Sequence, residues 1–475
     1  MFPIITWPAP AGEPASPDYT IMVEETPVFV YQARVRAEIL QNDGLWTHKT
    51  DPAGERASFA IFDMAAPVTV TVRPTRHFTR ATILPIGTGI VPEIKDGAVR
   101  FTLAHARHLT LVLDDSDTQP LHLFISTPEV DAPKPGDPNV VYFGPGVHNL
   151  ATLRVHSGQT VYLAGGAIVR AVLAPDEQGK YNEQWKVKFY TGPVLDLTKV
   201  HNVCIRGRGI LDGARVPHPG HNFIHLRQAR QVRLEGIVLR DAPNWNVTIM
   251  ESQDITVEDL RIVSGRLNSD GINSVNSRNV HIRRCFVRNH DDSIVVKTTA
   301  PGHAAEDISV EQCVIWNDWG YALGATYETR SPISRVHFRD CAILFARHWC
   351  MGVHVSDSAT VSDLSFSHVE VDLLSQASHS AGADAALTTE PKLLRLHIGE
   401  DCWGHDHTRG HIRGITLEDI DVFGPAVPAL EMFGFDKDHT IRDLTLRRLR
   451  LNGHPALNAD LRITRNAFVD EVKIE

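Results

Sequence analysis

A short pattern of apolar and polar residues recurs through the last two thirds of this 475-residue chain. Each copy has a polar pair, then apolar-x-apolar, two polar residues and apolar-x-apolar again, as in "SRNVHIRRCFV" from Ser277 and "AEDISVEQCVI" from Ala305. The copies start roughly 23 to 29 residues apart, except across one gap of about double that length. Their first apolar residues are Val203, Val232, Ile255, Val280, Ile308, Val336, Leu364, Ile415 and Leu444.

This repeat limits the chain to few folds. Each copy is typical of two short strands, because apolar residues alternate with polar ones and Asn, Asp, Gly and Ser bound the runs. A unit of this size cannot bury its own apolar face, so the copies must stack around a shared core. A leucine-rich repeat would need its own Leu and Asn signature, and a propeller about four strands per repeat. The repeat therefore predicts an all-β chain containing a right-handed parallel β-helix.

The residues before the repeats predict a second domain. From Pro17 to Val130, several stretches alternate apolar and polar residues between turn-rich segments, which is typical of a β-sandwich. The segment 131–139 is rich in Pro, Asp and Gly and resembles a linker. We expect an N-terminal β-sandwich domain over residues 1–135, followed by a parallel β-helix domain over residues 136–475.

Charge and hydropathy exclude several classes of partner. The formal net charge of −10 gives no basic field for a nucleic-acid backbone, so no nucleic-acid partner is expected. No run of about 18 apolar residues occurs, so no membrane partner is expected either. The segment "MFPIITWPAPAGEPASP" from Met1 lacks the basic start and long apolar run of a secretory leader. A cytoplasmic location is therefore expected, or a secreted one if a leader was removed, and the oligomeric state stays open.

The positions of the cysteines indicate that they pack in the core of the repeat. None of the six lies in a C-x-x-C pair or at a zinc-ligand spacing. Cys285, Cys313 and Cys341 each follow the first apolar residue of their copy by five positions, where other copies carry Ile, Leu or Val. We predict that they form a column of small core residues, and we expect neither a metal nor a cofactor.

Three aspartates are the candidate chemical groups. When the copies are aligned by their first apolar residue, Asp291 and Asp292 share a column with Trp319 of the next copy and Arg347 of the one after. Because stacked coils lie about 4.8 Å apart, these residues should share one strip of surface. Asp270 belongs to the preceding coil, and a bend could bring it close. The alternative is that the aspartates only satisfy turn backbone.

Aromatic residues on the same strip favour a sugar-binding site over turn capping. Aromatic rings stack on the apolar faces of sugars, while carboxylates can supply a general acid and a general base. The candidate substrate-binding residues are Trp245, Asn268, Lys297, Trp319, Tyr321, Arg347, His348, Trp349 and His354.

The segments that carry the aspartates resemble a known family. "NSDGIN" from Asn268 and "NHDDSIVVKT" from Asn289 resemble the NTDG and DDCIAIK segments of glycoside hydrolase family 28, the polygalacturonase family. "LRDAPNWNVTI" from Leu239 and "IRGRGILDG" from Ile205 resemble two earlier coils of that family. The likeness covers roughly residues 140–371.

The resemblance implies hydrolysis of a glycosidic bond with inversion. It implies that Asp291 is the general acid, and that Asp270 and Asp292 hold and activate the attacking water. A carboxyl group flanked by two carboxylates has its pKa raised by like-charge repulsion, which would keep Asp291 protonated.

Two segments depart from family 28. Its GHG segment is replaced by "WGYALGAT" from Trp319. Its R-I-K segment, which grips a uronate carboxylate, is replaced by "GVHVSDS", with His354 and Ser356 in place of the cations. With the net charge of −10, this favours a neutral sugar chain over polygalacturonate.

The strand-rich N-terminal domain, together with "VVYFGPGVH" from Val140, is similar to glycoside hydrolase family 49, the dextranase and isopullulanase family. That family acts on neutral α-glucans. The two resemblances together imply an oligosaccharide or polysaccharide substrate, α-glucan-like or plant-derived, with pectin hydrolysis as an alternative.

Other interpretations remain open. A glycan-binding β-helix without catalysis would keep the aromatics but would not need three acids, and a polysaccharide lyase would need calcium-binding acids. The His-rich loop 400–411 matches no zinc spacing and is expected to overhang the cleft. The sugar, the linkage, and cleavage from an end or internally are not determined by these residues.

Overall fold

The computed structural model describes residues 4–36, 55–183, 187–373, 392–425, 427–456 and 460–475. Within these residues the regular structure is strand, apart from a short 3-10 turn at Ile86–Thr88. No helix in the described ranges is long and apolar enough to cross a membrane.

The N-terminal domain is a sandwich of two sheets. Residues from both sheets, including Phe62, Val70 and Leu111, are fully buried in one shared core, which confirms the predicted β-sandwich. The first sheet contains Ile4–Ile5, Val30–Arg36, Glu55–Met64, Ala81–Leu84, Leu109–Leu113 and Leu121–Ser126. The second contains Tyr19–Val23, Thr26–Val28, Val68–Pro74, Glu93–Lys95 and Ala98–Leu103.

From Val140 onward, two long sheets with parallel pairing wind around a common core. The larger sheet contains Val140–Phe143, Gly146–Leu150, Thr160–Leu163, Ala167–Ala171, His201–Gly207, Ile210–Asp212, Arg230–Glu235, Val238–Arg240, Gln253–Glu258, Arg261–Leu267, Arg278–Arg283, Phe286–His290, Ala305–Glu311, Val314–Trp319, Ile333–Arg339, Ala342–Ala346, Thr360–Asp372, His411–Phe423, Ile441–Leu451, His454–Pro455 and Val472–Ile474. The smaller sheet contains Leu153–Arg154, Pro193–Thr198, Asn222–Arg227, Val247–Met250, Ile272–Val275, Ile294–Thr298, Tyr321–Thr329, Trp349–Val355, Lys392–Ile398, Ala429–Phe433 and Arg462–Arg465. Lys180–Asn182 and Val187–Phe189 form a separate antiparallel pair.

The register of the larger sheet confirms the predicted alignment of the copies. Val203 pairs with Val232, Val232 pairs with Ile255, and the same column continues to Leu444. Each of these residues is at most 2% exposed. The chain is therefore the predicted parallel β-helix preceded by a sandwich.

A left-handed backbone residue bends each coil between its two strands in the larger sheet. Arg284 has φ 51° and Asp340 has φ 54°, and in both coils the next residue is a cysteine. These two cysteines and the one in the coil between them are buried in the core, as predicted. The cysteines of this column are Cys285, Cys313 and Cys341.

The sandwich packs against the back of the central coils. Phe59 and Phe124 of the sandwich share an apolar cluster with Phe286 and Trp316 of the β-helix. The buried Arg288 donates to Asp318 at 2.9 Å and contacts His122 of the sandwich at 3.2 Å. Because Arg288 lies three residues before Asp291, the sandwich supports the coil that carries the acid pair.

Candidate active site

Three carboxylates meet at the corners of two adjacent coils. Asp270 lies in the turn after Arg261–Leu267, and Asp291 and Asp292 lie in the turn after Phe286–His290. One oxygen from each carboxylate lies within 4.8 Å of the others. Asp270 and Asp292 are buried, while Asp291 is partly exposed. The predicted grouping of the three aspartates is therefore present, with Asp291 the most accessible.

Asparagine side chains hold the corner backbones in place. The amide of Asn289 donates to the carbonyls of Asp291 and Asp292, both at 2.8 Å. The amide of Asn317, from the next coil, donates to the Asp291 carbonyl at 2.7 Å, and that of Asn246 donates to the Asp270 carbonyl at 3.0 Å. These hydrogen bonds satisfy backbone carbonyls that are not paired within the sheets. They also fix the backbone positions from which the three carboxylate side chains extend.

Asp292 has the partners of an ionised carboxylate. Its Oδ1 accepts from the backbone N–H of Tyr321 at 3.0 Å. Its Oδ2 accepts from Thr326 Oγ1 at 2.7 Å and from Lys297 Nζ at 3.2 Å. An adjacent ammonium and two further donors stabilise the negative charge.

Asp291 is arranged to hold a proton. Its Oδ1 accepts from the backbone N–H of Asp292 at 2.9 Å. Burial first, and then the negative charge of Asp292, raise the pKa of Asp291 to about 7, although Lys297 opposes this. An acid of this pKa beside a paired carboxylate is suited to general acid catalysis near neutral pH.

Asp270 also favours its neutral form. Burial first, and then the charge of Asp291, raise the pKa of Asp270 well above its usual range. Its Oδ2 accepts from Asn273 at 2.9 Å, and no described residue bonds to its Oδ1. That oxygen is available to a water molecule or a substrate hydroxyl.

The charge beside Asp292 comes from a buried lysine. Lys297 Nζ lies 3.0 Å from Glu328 Oε2, and over the rings of Tyr327 at 5.3 Å and Trp245 at 5.8 Å. Burial alone would lower the pKa of Lys297, but the charges of Glu328 and Asp292 outweigh it and raise that pKa. The predicted site residue Lys297 is thus a carboxylate partner in this structure.

Glycine is required next to the acids. Gly320 has φ 78°, and a Cβ there would lie 2.7 Å from Asp292 Oδ1 and 2.8 Å from the Asp292 backbone nitrogen. Its neighbour Trp319 forms a backbone bridge with Asp291, as their shared column predicts. The "WG" pair that replaces part of the family's GHG segment therefore shapes the corner where the acids lie.

The other predicted rings form a continuous wall beside the acids. Trp319 packs on His348, with ring centroids 4.1 Å apart, and His348 packs on Trp349 at 5.1 Å. Trp349 stacks on the fully buried Tyr321 at 4.8 Å, and the ring of Tyr321 lies 6.5 Å from that of His354. The ring of Tyr321 therefore holds the ring of Trp349 in place by stacking on it.

The histidines of the wall are neutral. Burial and the charges of Lys392 and Arg347 lower the pKa of His348 to about 3. Burial lowers the pKa of His354 well below its usual range, and neither ring nitrogen of His354 bonds to a described residue. Both are therefore suited to hydrogen bonds with uncharged groups.

The remaining predicted site residues lie around this wall. The side-chain amide of Asn268 donates to Asn244 Oδ1 at 2.6 Å, and the backbone N–H of Arg347 donates to the Asn317 carbonyl at 3.0 Å. Trp245 and Arg347 are half-buried. The geometry brings these residues near the acids, and their contact with substrate stays a prediction.

Two groups of site residues were not predicted from the sequence. The first group lies opposite Lys297, where the strand Tyr321–Thr329 bulges. Val296 pairs with Ala325 and Thr298 pairs with Thr329. One residue, Lys297, therefore faces three residues of the bulged strand, which are Thr326, Tyr327 and Glu328. The bulge breaks the regular spacing on which the alignment of copies depends.

The second group consists of two cations on Trp349. Arg395 Cζ lies 4.5 Å and Lys392 Nζ 4.9 Å from the centroid of its ring. Their strand, Lys392–Ile398, pairs with Trp349–Val355 and falls within the long gap between copies. The repeat pattern therefore did not predict this strand.

The His-rich loop 400–411 is fastened to the adjoining coil. The backbone N–H groups of His405 and Asp406 donate to Asp357 Oδ1 at 2.5 and 2.7 Å. The carboxylate of Asp406 accepts from Arg330 at 3.1 Å. Among the described residues, the metal-ligating side chains of this loop form no group of three.

Comparison with known proteins connects this geometry to a family. The family model described as "Glycosyl hydrolases family 28" matches residues 149–376. The matched part of the β-helix is similar to the family 28 glycoside hydrolases. A probable polygalacturonase of Vitis vinifera is 24% identical over 114 residues, which is 24% of this chain and 20% of that protein. The chain thus matches only about a fifth of the length of that relative.

Solved structures show the same fold. An exopolygalacturonase of Thermotoga maritima has a TM-score of 0.53 at 15% identity, covering 71% of this chain and 83% of its own. Dex49A of Penicillium minioluteum has a TM-score of 0.58 at 15% identity, covering 99% of this chain and 98% of its own. The likeness to Dex49A therefore includes the N-terminal sandwich. These structures confirm the β-helix fold that the resemblance to families 28 and 49 implies.

Proposed function

We propose that this protein hydrolyses a glycosidic bond in an oligosaccharide or polysaccharide. One observation carries the proposal: a partly exposed carboxyl group with a pKa of about 7, Asp291, lies beside Asp292, which is paired with a buried lysine. One neutral and one ionised carboxyl group are what general acid and general base catalysis at a glycosidic bond require. The match to family 28 supports the same chemistry.

In the proposed reaction, Asp291 donates its proton to the glycosidic oxygen as the bond to the anomeric carbon breaks. Water attacks that carbon, and Asp292 accepts a proton from the water. The unbonded Oδ1 of Asp270 orients the same water molecule. Proton exchange with solvent then returns Asp291 and Asp292 to their starting states.

Inversion is proposed on the resemblance to families 28 and 49. In typical inverting pairs the carboxyl groups lie about 6.5–9.5 Å apart, and in retaining pairs about 5–5.5 Å. The nearest oxygens here lie within 4.8 Å, so their separation alone does not favour inversion. The stereochemistry must be measured directly, by NMR of the first anomer released.

A neutral sugar chain is the proposed substrate. His354, where family 28 carries a cation, is 5% exposed, and its low pKa keeps it uncharged. A neutral imidazole with unbonded nitrogens can exchange hydrogen bonds with sugar hydroxyls, but it cannot neutralise a uronate.

An acidic sugar is the second candidate, because of Lys392 and Arg395. Both cations are half-buried over Trp349, and neither forms an ion pair with a described residue. Half-buried cations that have no counter-ion among the described residues favour an anion. The Vitis vinifera relative, named a probable polygalacturonase, agrees with this candidate.

A panel of defined oligosaccharides tests both candidates. We expect turnover of a neutral substrate by the wild-type protein and loss of turnover in Asp291→Asn, with folding unchanged. Arg395→Met should leave cleavage of a neutral substrate nearly intact but should abolish cleavage of a uronate substrate. Unchanged turnover in Asp291→Asn would refute the mechanism, and binding without turnover in both proteins would indicate a glycan-binding module.

A further inference from the structure

The buried lysine behind Asp292 is shared between two carboxylates. Lys297 Nζ lies 3.2 Å from Asp292 Oδ2 and 3.0 Å from Glu328 Oε2, and the Lys297 side chain is 4% exposed. Glu328 comes from the next coil and reaches the lysine only because its strand bulges there. The side chain of Glu328 is 12% exposed.

We propose that Glu328 is a positioning residue that acts through Lys297 to orient Asp292 and to keep Asp291 protonated. The inference rests on the proposed hydrolytic function. Among the described residues, Glu328 forms no hydrogen bond with any of the three catalytic candidates, and its only ion pair is with Lys297.

The first effect of Glu328 is on Asp292. Without a second carboxylate, the full charge of Lys297 would act on Asp292 and would draw the ammonium group towards that carboxylate alone. Glu328 takes up part of that charge. The lysine can then orient Asp292, together with Thr326 and the Tyr321 N–H, while the carboxylate still accepts a proton from water.

The second effect of Glu328 is on the protonation of Asp291. The charged and titratable groups that face it are Asp292 in its own turn, His290 before it, Asp270 from the preceding coil, Lys297 from the following strand, and Tyr327 and Glu328 from the next coil. The negative charge of Glu328 adds to that of Asp292 in disfavouring ionisation of Asp291. Removing it would leave Lys297 less compensated, which favours ionised Asp291 further.

The isosteric variant Glu328→Gln tests the inference. On the best substrate, we expect kcat to fall by about tenfold with little change in KM, because a positioning group acts on the chemical step. The basic limb of the pH profile of kcat/KM should move down by roughly 0.5 to 1 pH unit. Glu328→Asp should restore part of both. Glu306→Gln is the matched control, because Glu306 pairs with Arg335 on the outer face, and it should change neither.

A loss of kcat with an unmoved basic limb would show that Glu328 only supports packing, and it would overturn the inference. Carbon-13 NMR titration of labelled aspartates, with Asp291→Asn used for assignment, tests the same point without turnover. Glu328→Gln should lower the pKa of Asp291, and an unchanged pKa refutes the inference even if no substrate is found. Failure of the proposed function would instead appear as equal turnover in wild type and Asp291→Asn.

Discussion

Substitution of Gly320 by alanine tests whether the position of Asp292 controls turnover. A left-handed backbone costs a residue with a Cβ about 1–2 kcal/mol. At Gly320, where φ is 78°, the Cβ would also lie 2.7 Å from Asp292 Oδ1 and 3.0 Å from the Asp291 carbonyl carbon. Neither group can move freely, because both acids are held by the neighbouring coils, so the corner must shift by several tenths of an ångström or more.

A shift of about 1 Å in a reacting group can cost roughly 100-fold in rate. We therefore expect Gly320→Ala to lose about 10- to 100-fold in kcat/KM, and to lose about 1–3 kcal/mol of unfolding free energy. Initial rates and thermal unfolding measure the two effects separately.

Gly302→Ala is the matched control. Gly302 has φ 82°, and a Cβ there would meet no atom within 4 Å. It should show the backbone cost in thermal unfolding and keep full activity. If Gly320→Ala were as active as Gly302→Ala, the placement of Asp292 by this corner would not matter for turnover, and the reasoning would be refuted.

Three further predictions follow from the charges. With the pKa of Asp291 at about 7, kcat/KM should be retained below pH 7 and should fall as pH rises above it, because the acid must be protonated; an activity that rises through pH 8 would contradict this. The pKa of Asp291 rises from about 3.8 in the unfolded chain to about 7 in the folded protein, so its ionisation lowers the free energy of unfolding as pH rises through this range. Asp291→Asn should therefore have a higher Tm than wild type at pH 8 and a similar Tm near pH 4. Chelation with EDTA should leave turnover unchanged, because Lys297 supplies the positive charge at Asp292; chelator sensitivity with an unsaturated product would indicate a lyase.

The sequence was enough to predict the coils, since a β-helix is nearly a one-dimensional object. Once the first apolar residue of each copy is known, the register from Val203 to Leu444 follows, and so do the column of Cys285 and the meeting of Asp291 with Trp319. These predictions depend only on spacing within and between copies.

The parts that were not predicted lie where the spacing fails. Glu328 reaches Lys297 through a bulge, whose extra residues have no place in a regular alignment. Arg395 lies in a strand inside the double-length gap, where the alignment has no marker residue. Irregular segments therefore supply Glu328, which pairs with Lys297, and Arg395, which lies over the ring of Trp349.

We propose that three aspartates together hydrolyse a glycosidic bond, with Asp291 as the acid. The most direct measurement is proton NMR of a defined oligosaccharide during cleavage by the wild-type protein, Asp291→Asn and the control Glu306→Gln. We expect wild type and Glu306→Gln to release a new reducing end whose first anomer is inverted, and Asp291→Asn to release essentially none. Equal release by Asp291→Asn would contradict the role of the acid, and a first anomer of retained configuration would contradict direct attack by water.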